Sequence, residues 1–285
     1  MALINKLKAI ADAIRAKTDG TEELTLDQMP GEIESISGGN ELNFDGVFDQ
    51  EQANEINQYY KDGIEYAREI AESWDENATN ISSKFLRDEK LIFLPKLDLT
   101  KATTASFFCR YCYNLEYVPF LNLPNVGNME YAFNNCYNLK ELHISAPKCA
   151  NFSDITYLIS SMRKVYIECD SATNFNRAFY AQYGTKEITL TNVENVTKWS
   201  ETFVSNSDLR ILKMAKWKQG DIFLSSSGRL FVESIHYIIQ NAVDVADGAT
   251  ARTLTLTATT KTNWQNSEYY EQDLAVLEQK GITIA

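Results

Sequence analysis

The sequence predicts an α/β repeat solenoid: units of about 23 residues with short parallel strands, a helical N-terminal segment before them and an α+β cap after them. Three observations predict it. Val118, Leu142, Val165, Ile188 and Leu212 recur at gaps of 24, 23, 23 and 24 residues. A second apolar anchor follows each two residues later, at Phe120, Ile144, Ile167, Leu190 and Met214. Phe133, Phe179 and Phe203 each stand nine residues before Leu142, Ile188 and Leu212. Two apolar residues around one outward residue make a short strand with one buried face. A unit this small cannot bury its own apolar side, so stacked units must bury each other's. Leu94 extends the pattern to a sixth copy.

The elements follow in chain order. Residues 3–16 place Leu3, Leu7, Ile10, Ala11 and Ile14 on one helical face, and Gly20 stops that helix. A second short helix is expected from Gln28 to Ile36, with Gly38-Gly39 as a hinge. This gives an N-terminal docking module over 1–39. An acidic helical segment over 40–88 follows. From Glu41 to Glu76 it holds eleven acids against Lys61 and Arg68, a local charge of −9. Ala53, Ile56, Tyr60, Ile64, Ala67, Ile70, Ala71 and Trp74 recur there at helical spacing, with Gly63 as a weak point. The solenoid occupies 89–228. A cap over 229–285 is read as a helix marked by Val232, Ile235, Ile238, Ile239 and Ala242, then a strand at Thr253–Thr257. A helix carrying Leu274, Val276 and Leu277 comes next, closed by Gly281, and Ile282–Ile284 forms a last strand.

Charge and composition narrow the function. The 285 residues carry a net charge of −12, which opposes nucleic acid and anionic lipid as partners. No apolar run approaches the roughly 18 residues that cross a bilayer. Lys6, Lys8 and Asp12 interrupt the apolar residues at the N-terminus, so no secretory signal is read there and the chain is expected to start in a cytoplasm. The sequons at Asn77, Asn80, Asn151 and Asn195 are accordingly not read as glycan sites.

The phrase Ala132-Phe-Asn-Asn-Cys-Tyr-Asn-Leu-Lys-Glu-Leu142, with its partner Cys112-Tyr-Asn-Leu115, resembles the BspA-like class of leucine-rich repeats. The stretch from Leu7 to Ile33 is similar to openings of tail or minor structural proteins of phages and prophages of Gram-positive bacteria. The stretch from Val232 through Thr253-Leu-Thr-Leu256 to Ile282 resembles endings attached to such repeats. From Asn151 onward the Asn-Cys-x-x-Leu phrase is lost. The resemblance implies a right-handed leucine-rich-repeat-like array in a virion protein that recognises a host or neighbouring protein or a glycan. The alternative is a bacterial surface adhesin. The face of Leu3, Leu7, Ile10 and Ile14 is expected to pair with a second copy or with residues 48–74.

Candidate chemistry is sparse. Cys109-x-x-Cys112 is half of a zinc or redox site, but Cys112 and Cys136 share one repeat position and Cys109 stands where Phe133 stands one unit later. The five cysteines, Cys109, Cys112, Cys136, Cys149 and Cys169, are therefore read as core, with no metal and no cofactor. Asn114 and Asn138 are expected to form a buried ladder to loop backbone. His143 lies on an outward strand position and His236 on the cap helix, and no nucleophile motif accompanies either. The expectation is a binding surface with no catalytic residues. Its outer column is Pro119, His143, Tyr166, Thr189 and Lys213. The flanking column is Tyr117, Glu141, Lys164, Glu187 and Ile211. Tyr117, His143, Tyr166, Thr189 and Lys213 are the candidate ligand-binding residues.

Overall fold

The computed structural model describes residues 50–285. The chain divides into two compact units, Met1–Lys61 and Asp62–Ala285. The helices expected over 3–16 and 28–36 and the hinge at Gly38-Gly39 lie outside the described residues. One helix, α1 (Gln50–Glu72), runs through Gly63 without a break. A Cβ on Gly63 would sit 2.7 Å from Ile92 Cδ1, so the glycine permits close packing of the helix there. Beyond residue 62 the buried stripe passes through Gly63, Tyr66, Ile70 and Trp74. Ile64, expected on that stripe, is exposed, because it sits one position round the helix from Gly63. Trp74 Nε1 donates to Asp98 O at 3.0 Å and Tyr66 Oη to Asp88 Oδ2 at 2.7 Å, closing the first coil from above.

The solenoid expected from the 23-residue spacing is present. Strands β1 (Leu121–Asn122), β2 (Glu141–Ser145), β3 (Lys164–Glu168), β4 (Glu187–Leu190) and β5 (Ile211–Met214) form one parallel sheet in chain order. Leu142, Val165, Ile188 and Leu212 stand in register, as do Ile144, Ile167, Leu190 and Met214. All eight are buried, and the residues between them face out. The loss of the Asn-Cys-x-x-Leu phrase after Asn151 therefore leaves the register intact. A parallel bridge from Phe93 to Tyr117 and the buried Leu94 add the further coil.

The first copy corrects one anchor. Leu121, not Phe120, pairs with Ile144; Leu121 is 3% exposed and Phe120 is 53% exposed. Val118 remains an inward anchor, so Pro119 and Phe120 together oppose the single outward residue His143. Pro119 has no N–H for the ladder, and regular pairing resumes only after it.

The return limb of each coil carries no helix between Glu72 and Val232; it is a ladder of turns. Its pattern is two left-handed residues four apart: Ser83/Arg87, Phe107/Tyr111, Tyr131/Asn135, Asp154/Leu158, Arg177/Ala181 and Glu201/Ser205, with φ from 50° to 64°. The alternation turns successive peptides so that every second N–H points along the solenoid axis. Phe107, Cys109 and Tyr111 thus donate to the carbonyls of Glu130, Ala132 and Asn134 in the next coil. Each left-handed non-glycine residue costs about 1–2 kcal/mol. Hydrogen bonds worth about 0.5–1.5 kcal/mol each and the burial they permit offset that cost.

Inside the limb, adjacent columns share one volume. Phe108 sits beside Cys109, Ala132 beside Phe133, Ile155 beside Thr156, Ala178 beside Phe179 and Thr202 beside Phe203, and all ten are buried. A large side chain in one column meets a small one in the other, as close packing demands. This explains why Cys109 can replace a phenylalanine: Phe108 fills the space.

The column of Cys112 and Cys136 has a polar duty as well. Cys112 Sγ donates to Phe85 O at 2.8 Å and Cys136 Sγ to Cys109 O at 3.0 Å. Gln182 holds the same repeat position and donates through Nε2 to Thr156 O at 2.7 Å, so the role survives the change of residue. The asparagine ladder exists, but not where it was expected. Asn114 donates to Glu89 O at 2.8 Å without being buried, and Asn138 is exposed. The laddered asparagines are Asn128, Asn151 and Asn174, joined by single parallel bridges, with Asn174 Nδ2 donating to Asn151 Oδ1 at 2.9 Å. Each also accepts from the N–H two residues on, which starts the turn.

The cap follows the expected order and adds three elements: a strand, a short 3-10 helix (Val245–Asp247) and a further α-helix. Strand β6 (Ile222–Leu224) pairs with β7 (Arg252–Leu256), which pairs with β8 (Ile282–Ile284), in a separate parallel sheet. Helix α2 (Val232–Gln240) buries Ile235, Ile238 and Ile239. Helix α3 (Ala258–Gln265), which the pattern reading missed, starts at Thr257, whose hydroxyl accepts from Thr260 N. Helix α4 (Tyr270–Lys280) ends at Gly281 with φ 64°. Arg252 is buried and donates to the carbonyls of Trp217, Val243, Thr250 and Lys280 at 2.7–2.9 Å. Desolvation lowers its pKa to about 10.

Candidate functional site

The outward faces of β2–β5 are set by the period-two alternation that buries their anchors. In register, His143 faces Tyr166, Tyr166 faces Thr189 and Thr189 faces Lys213, so four of the five candidate residues form one row. The row begins one residue later than expected, with Phe120 in place of Pro119. The Phe120 and His143 ring centroids are 4.6 Å apart, and those of His143 and Tyr166 are 4.5 Å apart. Three rings from three coils thus meet in tilted and edge-to-face contacts, at interplanar angles of 59° and 70°, along one strip of the outer face. Tyr117, the fifth candidate, is 57% exposed and bridges back to Phe93, while Glu141, Lys164, Glu187 and Ile211 form the neighbouring row. Lys164 and Glu187 pair at 3.2 Å in that row. Exposed pairs of this kind contribute about 0–1 kcal/mol, so they set charge pattern more than stability.

The row does not run out into solvent at its C-terminal end. Helix α2 packs against β5 where a further strand would lie. Between them is a cleft of about 400 Å³ lined by Ile211 and Lys213 from the strand and by Phe231, Glu233, His236, Tyr237 and Gln240 from the cap. His236 is held firmly. Its Nδ1 lies 2.8 Å from Asp273 Oδ1, and its ring stacks on Tyr269 at 4.3 Å. Asp273 is fully buried and accepts also from Gln240 Nε2 at 2.9 Å and Trp264 Nε1 at 2.8 Å. Pattern reading placed His236 on a helix but could not supply Asp273, which comes from a different helix 37 residues away. It also missed Phe231 and Glu233, which carry no repeat signal.

The cysteines sit away from any opening. All five are free and buried. Burial pushes Cys109 and Cys136 well above the usual thiol range, and Cys149 and Cys169 to about 12. Such thiols are poor nucleophiles at neutral pH. Among the described residues no cluster of three or more histidine, cysteine or acidic side chains could hold a metal ion. Nor is any helix among them long and apolar enough to cross a membrane.

Comparison with protein-family models, with curated proteins and with solved structures finds no match.

Proposed function

We propose that this protein is a non-enzymatic recognition and structural module that presents its strand face to a protein or glycan, as a tail-associated component of a phage or prophage particle. The observation that carries the recognition reading is the row Phe120–His143–Tyr166. Three rings in tilted and edge-to-face contact lie on the outer face of a parallel sheet, Phe120 and His143 exposed and Tyr166 half-exposed, where open aromatic area would otherwise be a liability. Interfaces favour such anchors because a ring fixed by its neighbours loses little freedom on binding. The acidic balance and the inert thiols support a surface over a catalyst. The virion reading rests on the likeness of residues 7–33 to phage structural proteins.

Two measurements test it. Phe120→Ala and Tyr166→Ala should each lower retention of the purified protein on host cell envelopes at least tenfold, with unchanged unfolding midpoints. Equal retention would remove the strand-face reading. Fractionation of an induced lysogen should place the protein with particles. Surface labelling of intact cells, with none in the particle fraction, would replace the virion reading by that of an adhesin.

A further inference from the structure

The geometry points to a saccharide-binding groove at the C-terminal end of the solenoid, built from β5 and the start of α2 and suited to a short uncharged oligosaccharide. It rests on the recognition reading and names the ligand class for the end of that surface. Phe231 is 47% exposed, a large ring left in solvent at the N-cap of α2. It lines the cleft of about 400 Å³ and also an adjoining hollow of about 550 Å³. Glu233 lines both as well. Two hollows joined over one exposed ring suit consecutive units of a chain better than a single compact molecule.

The polar groups suit hydroxyls. A sugar hydroxyl both donates and accepts, while the C–H face of a pyranose is apolar and can lie on an aromatic ring. The cleft supplies the matching set: Lys213 as donor, Glu233 as acceptor, and Tyr237 and Gln240 able to do both. His236 adds a fixed ring nitrogen. A carboxylate only accepts, so Nδ1 donates to Asp273 and Nε2 is the nitrogen left to meet a ligand hydroxyl. A buried carboxylate with three donors and a stacked tyrosine fix that ring, so little freedom is lost when a ligand binds. Charge in the cleft is balanced, Lys213 against Glu233; in the adjoining hollow Arg229 is paired with Asp208 and Arg210 stands near Glu233. The chain as a whole carries −12, which favours an uncharged sugar over a polyanion.

Saturation-transfer NMR on the full chain tests this with methyl glycosides of glucose, galactose, mannose, rhamnose and N-acetylglucosamine and with β-linked disaccharides of the same sugars. Transfer to ring C–H protons is expected for at least one sugar, with its disaccharide at least fivefold tighter. Phe231→Ala should weaken binding at least tenfold and Glu233→Gln about threefold, each with an unchanged unfolding midpoint. Tyr183→Ala, at an exposed ring that lines neither hollow, should leave sugar binding unaltered. No transfer from any sugar, or equal transfer in Phe231→Ala, would overturn the inference; so would displacement of nothing but an uncharged peptide probe from the cleft. If sugars fail while Tyr166→Ala still abolishes envelope retention, the saccharide groove falls and the strand-face reading stands. If sugars bind but envelope retention ignores Tyr166→Ala, the reverse holds.

Discussion

The backbone N–H of Leu212 donates to the hydroxyl of Ser234 at 3.0 Å. Every earlier strand of the sheet passes its hydrogen bonds to the next strand. At β5 a helix stands in that place, and one serine side chain accepts in lieu of a carbonyl. The neighbouring Phe231 N donates back to Arg210 O at 2.8 Å. The open edge, the usual route to aggregation in a parallel stack, is closed by these contacts and by the packed face of α2. Ser234→Ala should therefore leave a buried N–H unpaired and cost about 1–3 kcal/mol in urea unfolding. A loss below about 0.3 kcal/mol would show that the edge is capped in some other way.

The buried thiols link stability to alkaline pH. Cys149 and Cys169 titrate near 9.0 when exposed and near 12 in the fold. Between these values the unfolded chain has released protons that the folded chain still holds. Stability is thus fully present below about pH 9 and falls as pH rises toward 12, by at most about 1.4 kcal/mol per pH unit for each group. Urea titrations across this range should show a shallower decline for Cys149→Ala/Cys169→Ala than for the parent chain. Parallel slopes would mean that these thiols do not contribute.

Glu201 occupies a left-handed position, with φ 54°, and its side chain is exposed. Glycine adopts this conformation without the steric cost of a Cβ but loses more freedom on folding. Glu201→Gly should be neutral or stabilising by up to about 1 kcal/mol, whereas Glu201→Val should destabilise by about 1–3 kcal/mol. Identical midpoints for the two variants would show that the turn ladder imposes no such constraint.

Gly184 marks a close approach of two coils. A Cβ there would lie 2.4 Å from the backbone oxygen of Ser160, which cannot rotate away as a side chain can. Gly184→Ala should cost about 1–3 kcal/mol by forcing the coils apart. Thermal unfolding at the parent midpoint would contradict the close approach.

Much of this architecture is legible in one dimension because a solenoid repeats its environment. Each coil places the same residue number in the same surroundings, so the 24-, 23-, 23- and 24-residue gaps survive as a pattern even where Gln182 replaces a cysteine. The same logic recovered Phe133, Phe179 and Phe203 as core and assigned the cysteines to it. It faltered at adjacent apolar pairs. Phe120 and Leu121 are equally apolar, and only Leu121 pairing with Ile144 on the next strand decides which one turns inward. The asparagine ladder was sound in kind but misplaced, since any recurring asparagine satisfies the spacing and only the backbone bridges select Asn128, Asn151 and Asn174.

The candidate site divides along the same line. Periodicity by itself determined the row His143, Tyr166, Thr189 and Lys213, because outward positions follow from inward ones two residues at a time. Only the tertiary structure decided that Phe120 heads the row, that α2 closes it, and that His236 meets Asp273 above a cleft. Those contacts join segments with no common period, and nothing in local spacing encodes which non-repeating residues the cap will bring together.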